Sequence, residues 1–262
     1  MTTARIGMTT RWRGVGALAE REVLRVLRLW SQTIAPPVVA AVLFIVVFGV
    51  ALGSSIRLID GVPYEQFIVP GLVLMGVATS AFGNNATSIY QARNDGFIED
   101  PASSPMSPTQ LLVGYLSGGV VRSLLIGVLT LAAARVFVDY PIEDPLVLAA
   151  ALVGTSVAFS ALGTVVGLYS TGWEQQNVVG NLVIQPLVFL GGVFYSIDAL
   201  TEPWRTLTHA DPIFYMVVAA RGGTLGGAEV SVALSLGVTL GLAAAMLAWA
   251  WWTFVRGVGI RT

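Results

Sequence analysis

Along this chain apolar positions first recur in steps of three and four, then fill whole runs. Trp12, Val15, Ala19, Val23, Val26 and Trp30 keep the helical step, and Arg13, Glu20, Arg21, Arg25 and Arg28 fall on the other side. That pattern predicts an amphipathic helix over 12–30. Tryptophan at both ends and arginine along one face suit a membrane interface; a solvated helix packed on its own protein is the alternative. Six mostly apolar runs follow, at 34–52, 67–90, 111–138, 145–169, 178–194 and 230–254. Each approaches the roughly 20 residues needed to cross about 30 Å of hydrocarbon. Between the last two, 195–229 contains an apolar stretch, Ile213 to Ala220, too short to cross. It reads as a re-entrant or interfacial helical hairpin with Trp204 and Tyr215 at headgroup level. The fold expected is an all-α integral membrane protein: one transmembrane domain over 1–262, six transmembrane helices behind an interfacial helix.

Composition agrees. Of 262 residues 55% are hydrophobic and 11% charged, against about 25% charged in soluble domains, so the chain could not coat a soluble globule. The first run begins near Ile34, too late for an ordinary secretory signal peptide. Arginine sets the orientation. Arg5, Arg11, Arg13, Arg21, Arg25, Arg28, Arg93, Arg256 and Arg261 fall on one side of six spans, and Arg57, Arg135, Arg205 and Arg221 on the other. The excess puts both termini in the cytoplasm of a multi-pass cell (plasma or inner) membrane protein.

Several chemistries are excluded or poorly supported. There is no lysine, so no P-loop can exist. There is no cysteine and one histidine, His209, so no His or Cys cluster can hold a metal. The net charge of −1 suggests no nucleic-acid partner. Ion-driven transport needs ionisable groups inside the spans, and Arg122 in span three is the only clear case; it either faces water near a gate, or snorkels or pairs with a carbonyl for structure. Two polar stripes stand out. Ser80, Asn84, Thr87, Ser88 and Gln91 share a face of span two, and Asn177, Asn181 and Gln185 repeat every four residues in span five. Amides facing lipid would be left unsatisfied, so both stripes either line a wet path or bond between helices. Gly114/Gly118, Gly163/Gly167 and Gly237/Gly241 are small-residue pairs that allow close helix approach.

The polar stretch 97–110, FIEDPASSPMSPTQ, joins spans two and three on the cytoplasmic side. Residues 91–100 predict a short helix continuing from span two, stopped by Pro101. Ser107, Pro108 and Gln110 predict a capped restart. A short polar helix between two spans is a handle that a cytoplasmic partner can push.

The Arg-bearing start, GFIEDPASSPMSPTQLLVGYLSGGVVRSLL, LGGVFYSIDALTEPW and DPIFYMVVAARGGTLGG together resemble the permease subunits of ABC-2 type (type V) ABC transporters, in the YadH/NodJ-like branch. The likeness covers nearly the whole chain. It implies an ATP-driven exporter of amphipathic substrates (drugs, lipids or glycolipids) working by alternating access. An ion-driven carrier and a non-transporting scaffold or sensor subunit are the alternatives. The chain would be a permease and not an enzyme. It would need no cofactor of its own, because a separate ABC ATPase subunit would bind ATP and Mg. A second permease copy, membrane lipid and the amphipathic substrate complete the expected partners. The family pattern makes 12–30, with Arg21, Arg25 and Arg28, the connecting helix. It makes 91–100, with Arg93, Gly96, Glu99 and Asp100, the coupling helix. Ser80, Asn84, Ser88, Arg122, Asn177, Asn181 and Gln185 are the candidate path or gate residues, and 195–229 is the extracellular segment.

Overall fold

The computed structural model describes residues 8–51, 58–59, 61–98, 104, 106–227 and 229–258, with backbone alone at 8–11 and 50–51. Helix α1, Met8–Arg28, ends where Leu29 leaves helical geometry (φ −103°, ψ 25°). A single turn, α2 (Trp30–Thr33), leads to α3 (Ala35–Phe44), which runs on as a π-helical stretch, Ile45–Ala51. Pro36 and Pro37 occupy the first turn of α3, where their missing N–H groups interrupt the ladder between α2 and α3. A small hairpin, β1 (Leu58–Ile59) and β2 (Val62–Pro63), pairs Ile59 with Val62. Then come α4 (Tyr64–Asn94), α5 (Pro108–Ala134) and α6 (Pro145–Tyr169). Next is α7 (Trp173–Val178), continued through a π-helical stretch, Val179–Ile184, into α8 (Gln185–Leu190). A 3-10 turn at Ile197–Ala199, α9 (Trp204–Ala210), α10 (Pro212–Leu225) and α11 (Val232–Arg256) complete the described elements.

The starts follow side-chain chemistry. Ser107 and Gln110 form the expected reciprocal box: the Gln110 amide N–H donates to Ser107 Oγ at 3.3 Å, and the Ser107 N–H to Gln110 Oε1 at 2.9 Å. Asp144 and Asp211 each cap a helix that opens on proline, an arrangement that satisfies orphan donors where proline has none to offer.

The long helices pack side by side between the two ends of one bundle. At one end α1 lies across α5, placing Leu18 over Gly114 and Glu22 over Gly118. At the other, α9 and α10 form the helical pair expected in 195–229, and α10 buries Ile213, Phe214 and Met216 to Thr224 among α4, α6 and α11. Helix α4 is enclosed along most of its length, whereas α11 shows most of its surface. Five helices among the described residues have the length and composition to cross a membrane: Trp30–Gly49, α4, α5, α6 and α11. The broken helix 173–190 is shorter than these five and opens on the polar run Trp173-Glu174-Gln175-Gln176-Asn177.

Boundaries differ from the sequence expectation by a few residues; at α6 they coincide. The larger difference is at 91–100. Helix α4 stops at Asn94, Gly96 takes the left-handed conformation at φ 75°, and the Ile98 N–H folds back to the Ala92 carbonyl at 2.8 Å. Only glycine enters that region without strain, so the helix closes there. Glu99, Asp100 and the expected stop at Pro101 lie outside the described residues.

Glycines set the closest approaches. A Cβ on Gly163 would sit 2.4 Å from the Phe82 carbonyl oxygen, whereas one on Gly237 would meet nothing within 4 Å. Gly163→Ala is therefore expected to cost about 2 kcal/mol, seen as a lowered thermal unfolding midpoint in detergent. Gly237→Ala should be neutral or slightly stabilising, because it removes a helical glycine without a clash. Equal midpoints for the two variants would contradict this packing.

Candidate functional site

Two concave regions lie on opposite faces of α4. The first is a cleft of about 270 Å3 between α4 and the broken helix 173–190. From α4 come Thr79, Gly83 and Thr87; from the broken helix come Gln176, Asn177, Asn181 and Gln185, with Trp173 at one end. The tryptophan ring meets Tyr90 edge-on at 5.0 Å. The π-helical stretch lies in the middle of this wall. Such stretches are rare and recur at functional sites, because they leave the regular ladder locally mismatched.

The second region is a groove of about 790 Å3 between α1 and the end of α4. Arg21, Arg25 and Arg28 lie on one side, and Gln91, Asp95 and Phe97 on the other. At its floor Glu22 is 2% exposed. Its carboxylate pairs with Arg21 at 3.0 Å and Arg25 at 2.9 Å, and accepts from Ser88 Oγ at 2.6 Å. Deeper along the same face of α4, Asn85 Nδ2 donates to the Tyr115 carbonyl at 3.3 Å and to Thr164 Oγ1 at 3.0 Å. This polar seam joins α1, α4, α5 and α6.

The seven candidate path residues are therefore divided. Asn177, Asn181 and Gln185 come together in the cleft. Ser80, Asn84 and Ser88 are buried on the inward face of α4. The reason is helical geometry: at 3.6 residues per turn, the row 80–84–88 lies about 100° around the axis from 79–83–87. Thr87 belongs to the cleft row.

Arg122 sits elsewhere, with its Nε donating to the Thr33 carbonyl at 3.0 Å. That carbonyl is the one Pro37 would cap were it not proline, so the arginine replaces a missing backbone donor. Arg93 acts similarly: its guanidinium donates to the Leu168 and Ser170 carbonyls at the end of α6. A cation there also meets the negative end of the helix dipole. Gly96 is exposed at the closing turn of α4.

Away from α1, the ends of α3 and α8 meet through phenylalanines. Phe194 lies 5.9 Å from Phe44, 5.2 Å from Phe48 and 5.8 Å from Phe189 between ring centroids. Nearby Arg221 is 3% exposed. It pairs with Glu229 at 2.7 Å, donates to the Gly192 carbonyl at 2.9 Å and stacks on Phe67 at 3.7 Å. In the hairpin, burial pushes the Asp211 carboxyl up to about 6, opposed by its acceptance of the Ile213 N–H.

Sequence reading passed over Glu22 and Gln176, and counted Arg221 only as a loop charge. For Glu22 a signal existed, since 18, 22 and 26 share one face and put this acid among the buried apolar positions. Gln176 carried none, because the π-helical stretch hides which residues of 173–185 share a face.

A family model described as ABC-2 type transporter matches residues 13–225. The inner membrane transport permease YadH of Escherichia coli is 36% identical over 251 residues, covering 96% of this chain and 98% of its own length. Nodulation protein J of Sinorhizobium fredii is 24% identical over 191 residues, 72% of each chain. That of Rhizobium leguminosarum bv. viciae is 23% identical over 199 residues, 75% of this chain and 76% of its own.

Two predictions follow from the geometry. Arg122→Leu strands the Thr33 carbonyl and should cost about 2 kcal/mol. In a Pro37→Ala background, where residue 37 regains its N–H, the same change should cost about 1 kcal/mol less. A thermal double-mutant cycle with no coupling would refute the replacement of one donor by the other. Asp211 holds its proton more tightly folded than unfolded, so its contribution to stability is complete below about pH 4. It is lost as pH rises through about 6. Asp211→Asn keeps the cap and should remove this contribution. The difference between the two unfolding curves should then change between pH 4 and 6 and be constant above 7.

Proposed function

This multi-pass membrane protein belongs to the ABC-2 type transporter family, and we propose that it is the permease subunit of an ATP-driven exporter. The observation that carries the reading is the groove between α1 and the end of α4. It brings the basic face of the amphipathic helix beside the turn at Gly96, leaves Phe97 exposed, and so offers a partner one docking surface on two elements. The chain holds no lysine, so a separate ATP-binding cassette subunit supplies the P-loop and binds ATP and Mg.

In this reading 173–190 is the fifth of six membrane spans, the arginine excess puts both termini in the cytoplasm, and 195–229 faces outward. At about 1.5 Å per residue, 18 helical residues reach about 27 Å, enough for a short span. Val178, Leu182 and Val183 lie exposed beside Asn177 and Asn181 on this helix. Amides at membrane depth require cover by protein or water, which supports a second copy of the chain across this face and a path between the two. ATP closes the cassette pair, the α1 end moves, and the cleft beside α4 opens outward. The cargo is amphipathic: a drug, lipid or glycolipid.

Co-purification with the cassette subunit, followed by paired measurements of ATP hydrolysis and transport in proteoliposomes, tests the assignment. Glu99→Lys combined with Asp100→Lys should reduce transport per ATP hydrolysed by about tenfold while leaving the purified yield and oligomer size unchanged. Transport with unaltered coupling in that variant would place the motor contact elsewhere.

A further inference from the structure

The cleft beside α4 contains a buried amide that the described residues leave unsatisfied. Gln176 is 5% exposed, and neither its Nε2 nor its Oε1 has a hydrogen-bond partner among the described residues. A buried donor and acceptor left unmade cost about 1–3 kcal/mol each, and most buried polar atoms are paired. The side chain lines a cavity whose other polar groups, Thr79, Thr87, Asn177, Asn181 and Gln185, are all hydroxyls or amides. Among the described residues no ionisable side chain lines it. Glu174 is exposed and outside the lining.

Resting on the transport reading above, we propose that this cleft takes an uncharged head group carrying both hydrogen-bond donors and acceptors, and that Gln176 reads it. A charged head would enter without a counter-charge, and an unpaired charge in such a place costs more than a neutral polar group. A purely apolar ligand would leave Gln176 as unsatisfied as before. A head with hydroxyls or amides pairs both ends of the Gln176 amide and meets the flanking hydroxyls. Trp173, fixed edge-on by Tyr90, closes one end with an aromatic ring. The cavity volume of about 270 Å3 is small beside the roughly 300–1,000 Å3 of sites that enclose a drug-sized ligand. It therefore holds the head of an amphiphile, while the tail runs along exposed Leu182 and Val183.

The chain has no cysteine, so Val178→Cys, outside the lining, places a single environment-sensitive fluorophore beside the cleft of the full-length protein in lipid nanodiscs. Octyl glucoside, octyltrimethylammonium and octyl phosphate, each below its micelle concentration, share a tail and differ in head. The expected result is a saturable response with the lowest half-saturation for the glucoside, raised about tenfold by Gln176→Leu with little change for the charged probes. Gln176→Glu, nearly isosteric, should shift preference to the trimethylammonium head and keeps the test alive if the leucine variant misfolds. Equal half-saturation for all three probes would overturn the proposal. So would responses that only rise linearly, tighter binding of a charged head by the wild type, or a glucoside response indifferent to residue 176. Saturable glucoside binding that fails to stimulate a co-reconstituted cassette ATPase sinks the transport reading and leaves the head-group inference standing; stimulation without head-group preference does the reverse.

Discussion

A bilayer offers no water to an interrupted helix, so every backbone carbonyl freed inside this bundle must find a donor from the protein. Three arginines supply it. Arg122 caps Thr33, left open by Pro37; Arg93 caps the end of α6 at Leu168 and Ser170; Arg221 caps Gly192 just beyond α8. Arginine suits the task because its guanidinium has several donors and stays charged. The carbonyls lower the cost of burying that charge, and the charge removes the cost of an orphaned carbonyl. Arg122, the one of the three inside a span, lets the chain break between α2 and α3, and Arg93 and Arg221 close helix ends beside the loops.

Those breaks give the molecule its asymmetry. Helix α4 is long, continuous and enclosed, gripped by α6 through Gly163 and Gly167 and by α5 beside Gly119 and Gly127. The helices beside it, α3 and the segment 173–190, are segmented, each with a π-helical stretch and an exposed face. The tightest backbone approaches to α4 come from α6 at Gly163 and Gly167 and from Val193, beyond the end of α8, at Gly71, so the segmented walls are anchored to α4 mainly at that one end. The small-residue pairs divide the same way: Gly114/Gly118 receive α1, Gly163/Gly167 receive α4, and Gly237/Gly241 face open space.

Features set by local chemistry were legible in the residues. The capping box at Ser107, the start of α6 after Asp144 and the helical pair within 195–229 follow from side chains a few positions apart, and the structure has each. What escaped depends on rotation about a helix axis. Ser80, Asn84, Thr87 and Ser88 read as one stripe because positions three and four apart are neighbours, yet Thr87 belongs to the outer cleft and the others to the inner seam. A stripe about 100° wide cannot be split from periodicity when both sides of the helix are buried. The π-helical stretch adds a further shift to 173–190 that no spacing reveals. At Gly96 the glycine was visible, but a run of helix-tolerant residues around it masked its role as a stop.

The division of α4 links the two ends of the proposed mechanism. Ser88, on its inner face, is held by Glu22 of α1; Thr87, one residue earlier, lines the cleft beside Gln176. A helix this well packed moves as a body, so a displacement of α1 that drags Ser88 around the axis of α4 must carry Thr87, Gly83 and Thr79 with it. The seam through Asn85, Tyr115 and Thr164 opposes that rotation and so limits how far α4 can turn. The buried carboxylate thus does more than neutralise Arg21 and Arg25. It sits at the point where the amphipathic helix grips the one helix shared by the docking groove and the cleft. A cavity with no ionisable group in its lining among the described residues can then be driven by a distant partner.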